Sequence, residues 1–172
     1  MGNLAFIAAS ILQKLYEKVG EEFGLRIQGL FAHTLISMGV QVLDCKPQGH
    51  PDIIADTGTE RWKFEVTFVR NFPYKLDTAD INSIHPRSEA QRGFLAILDA
   101  GPPVRWICLP YEVISKKLGS GLYSTQLLRI ADSRFSSECT NSFASLLIRN
   151  EYRLNSLSFH LLKQWAMEGK GV

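Results

Sequence analysis

Apolar positions at the start of the chain recur at helical spacing: Leu4, Ile7, Ala8, Ile11, Leu12, Leu15 and Val19 share one side of a 3.6-residue turn, and Gly20 supplies a stop. A second helical pattern covers about residues 21–38, with Phe23, Ile27, Leu30, Phe31, Thr34, Leu35 and Met38 on one side and Gly39 as its C-cap. The period then shortens to two. Val40, Val42 and Cys45 predict a first strand, closed by Lys46-Pro47-Gln48-Gly49. Residues 52–56 predict a second, and the turn formers at 56–60 join it as a hairpin to a third. That third strand, residues 61–70, alternates more clearly than any other segment: Trp62, Phe64, Val66 and Phe68 on one face, Lys63, Glu65 and Thr67 on the other. The aromatic face is a packing face, which leaves the polar one free for chemistry.

Residues 71–84 contain Pro73 and mixed polarity, and predict an irregular loop that orders on binding a partner. A helix is expected from Pro86 or Arg87 through Gln91 to Asp99, ended by Gly101-Pro102-Pro103. Residues 104–109 follow as a buried strand, 111–118 as a short helix, and 141–150 and 156–167 as two further helices. No internal repeat is present. The alternation of helices and strands predicts an α/β fold in one domain of 172 residues, large enough to bury a core without disulfides.

Composition narrows the function classes. Hydrophobic residues make up 45% and charged ones 21%, with no low-complexity tract to mark a linker. A net charge of +2 is too small for a basic footprint, so any binding to nucleic acid rests on local clustering. Cys45, Cys108 and Cys139 form no CxxC pair and are expected as reduced packing residues of a cytoplasmic protein. The apolar start lacks a basic n-region and runs directly into Lys14, Glu17 and Lys18, which predicts a soluble helix rather than a signal peptide. Phe6 stands where N-myristoylation requires Ser or Thr, and no run approaches the ~18 apolar residues that cross a bilayer, so no membrane partner is expected. His33, His50, His85 and His160 match no zinc spacing; the P-loop, G-x-G-x-x-G and G-x-S-x-G motifs are absent.

What remains is Gly49-His50-Pro51-Asp52, twelve intervening residues, then Glu65-Val66-Thr67. Hydrolysing a phosphodiester requires neutralising charge on the attacked phosphate and activating water, and Mg²⁺ held by two or three carboxylates does both. Asp52 at the opening of one hairpin strand and Glu65 in its partner project from neighbouring positions of one sheet face, close enough to share an ion. His50 either positions a phosphate or caps the turn. Arg61, Lys63, Arg70, Lys75, Arg87 and Arg92 fall around these carboxylates, with Phe72 and Tyr74 among them.

In the order helix, three strands, helix, strand, these motifs resemble the PD-(D/E)XK nuclease superfamily over about residues 20–110, most closely archaeal Holliday-junction resolvases and small restriction endonucleases. The resemblance implies a restriction-endonuclease-like αβββαβ core, a mixed central sheet flanked by helices, with residues 111–172 as a C-terminal helical extension. It implies a Mg²⁺-dependent DNA endonuclease, with Mn²⁺ as an alternative ion, acting as a homodimer. Asp52, Glu65 and the Val66 carbonyl would bind the metal. An acid from the preceding helix would complete the site, Glu22 in preference to Glu21 because Arg26 stands four residues on. Thr67 occupies the position of the signature lysine; Lys63, one pleat repeat before Glu65, or Gln91 on the following helix would substitute, with Arg70 and Lys75 as further choices. His50, Arg70, Lys75 and Arg87 would face nucleic acid. A second expectation, favoured by Thr67, is a module on the same fold that has lost cleavage and holds a nucleic acid or a protein.

Overall fold

The computed structural model describes residues 2–47 and 50–172. Met1, Gln48 and Gly49 lie outside the described residues, and with them the end of the turn expected after the first strand and the first residue of the Gly-His-Pro-Asp run. Helices α1 (Gly2–Val19) and α2 (Phe23–Ser37) follow the predicted pattern, separated by a single 3-10 turn, Gly20–Glu22. Gly20 has φ of 56° and Gly39 of 83°, left-handed values that end each helix at little cost only in glycine.

Strands β1 (Gln41–Cys45), β2 (Ile53–Asp56) and β3 (Arg61–Val69) form an antiparallel meander. The chain continues through β4 (Tyr74–Lys75) and α3 (Thr78–Ser83) into β5 (Gln91–Asp99), which lies parallel to β3; β6 (Arg105–Pro110) then pairs antiparallel with β5. The result is a mixed five-stranded sheet in the order β1-β2-β3-β5-β6. Helix α4 (Tyr111–Ile114) leads to β7 (Gly121–Leu122), which pairs with β4, and α5 (Ser124–Ile130), α6 (Ser133–Asn150) and α7 (Phe159–Met167) complete the chain.

The alternation read in β3 divides the molecule into two layers. Its aromatic face meets α2, with Phe23 against Phe68 at 4.9 Å and Phe31 against Phe64 at 5.4 Å between ring centroids. On that side one buried cluster joins α1, α2, α6 and α7 to the sheet through Leu12, Phe31, Phe64, Trp106, Phe143 and Leu162. The opposite face, carrying Lys63, Glu65, Thr67 and Val69, looks toward a smaller cluster built from Leu95, Ile97, Ile107 and Leu109 of the sheet with Ile81 and Ile84 of the α3 segment, Ile114, Leu122 and Leu127.

Two expectations are corrected. The helix predicted for residues 86–99 is a nine-residue strand, β5, whose residues Phe94 to Leu98 are buried on both faces. A strand covered on both sides loses its polar alternation, and its run of Leu, Ala and Ile then resembles a buried helix. The helix that follows the third strand is instead α3, within residues 71–84, where an irregular loop was expected. There Asp77 accepts a hydrogen bond from the Ala79 amide at 2.7 Å as N-cap.

The C-terminal third is part of the packing rather than a separate layer. Arg26 of α2 is buried and donates to the carbonyls of Leu154 and Leu157, while His33 Nε2 lies 2.9 Å from the Leu162 carbonyl. All three cysteines are free and buried, as expected of packing residues, and burial pushes the Cys45 thiol up to about 12. Among the described residues no helix is long and apolar enough to cross a membrane.

Candidate metal centre

The pairing of Ile53 with Phe64 ends the β2–β3 ladder one residue short of Asp52 and Glu65, so these two carboxyls sit next to each other where the strands part. Three contacts hold the opening. Gln28 of α2 donates to the carbonyls of Lys46 and Asp52, the latter at 3.2 Å, and the Lys46 amide donates to the Asp52 carbonyl at 2.8 Å. Asp52 Oδ2 then accepts from the Val66 amide at 2.8 Å, laying its carboxyl along β3. Burial lifts the Asp52 carboxyl above its ordinary range, against the opposing pull of that amide.

Glu65 points into the smaller layer and is only 4% exposed, so an ionised carboxylate there needs partners. His50 Nδ1 lies 2.7 Å from its Oε1, and the Ser83 hydroxyl donates to the same oxygen. Burial nevertheless dominates and pushes Glu65 up to about 8, with the Asp52 charge adding to the rise. His50 is raised in turn, chiefly by its hydrogen bond to Glu65.

Helix α3 brings the third acid. Asp80 and Ser83 are three residues apart and therefore share one face of the helix; Ser83 also donates to the Asp80 carbonyl at 2.6 Å. Ligand atoms of His50, Glu65 and Asp80 all lie within 4.8 Å of one another. The Asp80 carboxyl is also raised, first by burial and then by Asp77. Two carboxyls, Glu65 and Asp80, and a single imidazole make a donor set suited to a hard or borderline divalent cation, with the Asp52 carboxyl adjacent, and such an ion would favour the ionised form of each carboxyl.

The approach of α3 to the sheet depends on Gly93 of β5. A Cβ built there would fall 1.9 Å from the Ile84 carbonyl oxygen, so only glycine lets the helix exit cross this strand so closely. The same crossing brings the His85 carbonyl to Lys63, whose Nζ donates to it at 3.0 Å. Thr67, in the position of the signature lysine, lies half-buried two residues beyond Glu65 on the same strand face, and the half-buried Tyr74 hydroxyl is pushed up, first by burial and then by the charges of Asp80 and Asp77.

Of the residues singled out in the sequence, Asp52, Glu65, Val66 and His50 come together here, with Lys63 and Thr67 flanking Glu65 on its own strand face. The others do not join them. Glu22 pairs with Arg26 at 3.0 Å, as its spacing suggested, but it leads into α2 on the aromatic face, behind the sheet; Glu21 stands exposed beside it. Gln91 is the first residue of β5 rather than a helical residue. It pairs with Arg61, four positions before the Glu65–Leu95 pair, or about 13 Å along the strand, and its Oε1 accepts from the Arg87 amide. Arg70 packs on α1, donating to Gln13 at 3.0 Å with its guanidinium 3.8 Å above the Tyr16 ring. Lys75 is exposed on β4, and Arg87 is exposed in the loop before β5.

Sequence reasoning missed Asp80 and Ser83. The signal was present: Asp77-Thr78-Ala79-Asp80 has an N-cap acid and a first-turn acid, and a helix recognised there would have put Asp80 and Ser83 on one face. Compared with protein-family models, with curated proteins and with solved structures, the chain has no match.

Proposed function

We propose that the chain is a metal-dependent DNA endonuclease of the restriction-endonuclease-like kind, hydrolysing phosphodiester bonds at the His50–Glu65–Asp80 cluster with Asp52 beside it. The observation that carries this reading is the convergence of three carboxyls and one imidazole at the point where β2 and β3 part. The topology agrees with it: an antiparallel meander followed by a parallel crossover through a helix is the strand and helix order that the resemblance implies.

Glu65, Asp80 and His50 would hold Mg²⁺ or Mn²⁺, and Asp52 and the Val66 carbonyl are the further oxygens that the resemblance implies. A bound ion of this kind supplies charge neutralisation at the attacked phosphate and lowers the pKa of a coordinated water. Ser83 and His50 both engage Glu65 Oε1 and so hold its carboxyl in one orientation. Asp80 replaces Glu22 as the acid contributed by a helix. With Thr67 at the lysine position, Lys63 is the nearest cation on the same strand face. Cutting both strands of a duplex takes two centres, so the reading includes a homodimer.

The test is cleavage of supercoiled, linear and branched DNA with Mg²⁺ or Mn²⁺, comparing the wild type with Glu65→Gln and Asp80→Asn. Metal-dependent cleavage that falls to background in both variants is the expected result. Cleavage undiminished by both substitutions would sink the reading.

One observation favours a second reading. Thr67 stands in the position of the signature lysine and offers only a neutral hydroxyl, so no ammonium is available at that position to stabilise developing charge. A module on this fold that binds nucleic acid or protein without cutting would bind DNA in the same assay and leave it intact.

A further inference from the structure

The structure sorts the six basic residues that surround the carboxylates in sequence. Arg70 is taken by Gln13 and Tyr16, and Arg92 pairs with Glu60 at 2.9 Å. Lys75 stands apart on the second, two-stranded sheet. Arg61, Lys63 and Arg87 remain, and among the described residues none of the three has a carboxylate partner. Nearby acids are engaged in other bonds: Glu60 accepts from Trp62 Nε1 and Arg92, and Asp56 from the Gly58 amide.

These three cations lie together. Arg61, Lys63 and Glu65 are alternate residues of β3 on one face, stepping about 7 Å at a time toward the metal centre. The loop before β5 lies alongside, since the Arg87 amide is bonded to Gln91 and Gln91 pairs with Arg61. Clustered like charges without a counter-charge cost stability and are relieved by an anionic ligand.

We propose that Arg61, Lys63 and Arg87 form a strip that holds consecutive phosphates of a nucleic-acid backbone and delivers the chain to Glu65. The inference rests on the proposed function for its direction, because the strip ends at the carboxylate cluster and offsets that cluster's repulsion of phosphate. Contacts of this kind are independent of base sequence and fix register. The His85 carbonyl aims the Lys63 ammonium and keeps it from folding onto Glu65.

The test measures binding without cleavage. Anisotropy of a labelled duplex of mixed sequence is followed against salt in EDTA, for the full chain, Arg87→Gln, the pair Arg61→Gln with Arg87→Gln, and a control pair Lys116→Gln with Lys117→Gln. Losing two phosphate contacts should weaken binding roughly 10-fold or more near 0.1 M salt and flatten the log–log salt slope by about 2, and Arg87→Gln alone by about 1. The control pair should leave both unchanged. Far-UV and near-UV circular dichroism matching the wild type establishes that the variants are folded, as their exposed positions predict. Equal loss in the control, no change in the double variant, no DNA binding by the wild type, or poly-glutamate bound as tightly as DNA would each overturn the strip. Failure of cleavage with the slope change intact would remove the nuclease reading and leave the strip standing; cleavage with an unchanged slope would do the reverse.

Discussion

Glu65 combines near-complete burial, two hydrogen bonds to one oxygen and an adjacent carboxyl, and the balance of these effects can be measured through pH. Its ordinary value is 4.5, and in the fold it is pushed up to about 8, mainly by burial. A carboxyl raised on folding contributes stability that is fully present below the unfolded value and is lost as pH rises through the folded one. In EDTA, therefore, the wild type should lose stability between about pH 5 and 8 from this group, while Glu65→Gln should not. The melting temperature of the variant is expected to gain several degrees on the wild type between pH 5 and pH 8.5 by thermal circular dichroism; a difference that stays constant with pH would mean that Glu65 titrates normally. Mn²⁺ should stabilise the wild type more at pH 8.5 than at pH 5, because binding needs the ionised form. Asp52 and Glu65 were legible as a pair because the hairpin's register follows from local alternation, whereas His50 was read only as a phosphate contact or a turn cap. Asp80 was not, because its proximity to Glu65 depends on how α3 lies across the sheet.

The element that decides this crossing is β5. Its sequence, Gln91-Arg92-Gly93-Phe94-Leu95-Ala96-Ile97-Leu98-Asp99, mixes the helix formers Gln, Arg, Leu and Ala with Phe94 and Ile97, which favour strands, and Gly93, which disfavours a helix. The parallel pairing with β3 and burial on both faces decide between the two. Gly93→Ala should force the Ile84 carbonyl away from the strand and, with it, Ser83 from Glu65 and the His85 carbonyl from Lys63. A loss of about 3 kcal/mol or more in urea unfolding is expected, since the clash is with backbone. Gly24→Ala in α2 serves as the contrast: the nearest atom to its Cβ is Phe68 Cε1 at 3.5 Å, an ordinary contact, and a helical glycine replaced by alanine should gain up to about 1 kcal/mol. Equal effects at the two positions would show that the close crossing of α3 over β5 is not what matters.

At the scale of the whole molecule, the C-terminal helices close the larger of the two layers. Phe143 of α6 is fully buried with its ring 5.4 Å from that of Trp106, which in turn lies 4.4 Å from Phe31 of α2. Phe143→Ala should cost about 3–5 kcal/mol and move one cooperative urea transition; a separate early transition with the main one unmoved would make α6 and α7 an appendage. The sequence by itself determined the α/β class, the two N-terminal helices, the β1–β2–β3 meander and the neighbouring places of Asp52 and Glu65. All of these follow from local periodicity and turn chemistry, in which residues a few positions apart decide the outcome. Only the tertiary structure decided that residues 91–99 form a strand, that Asp80 and Ser83 complete the cluster in place of Glu22 and Gln91, and that the loop carrying Arg87 lies beside Arg61. The physical reason is that each of these depends on what covers a segment from the other side of the sheet, and burial by distant parts of the chain leaves no periodicity to read.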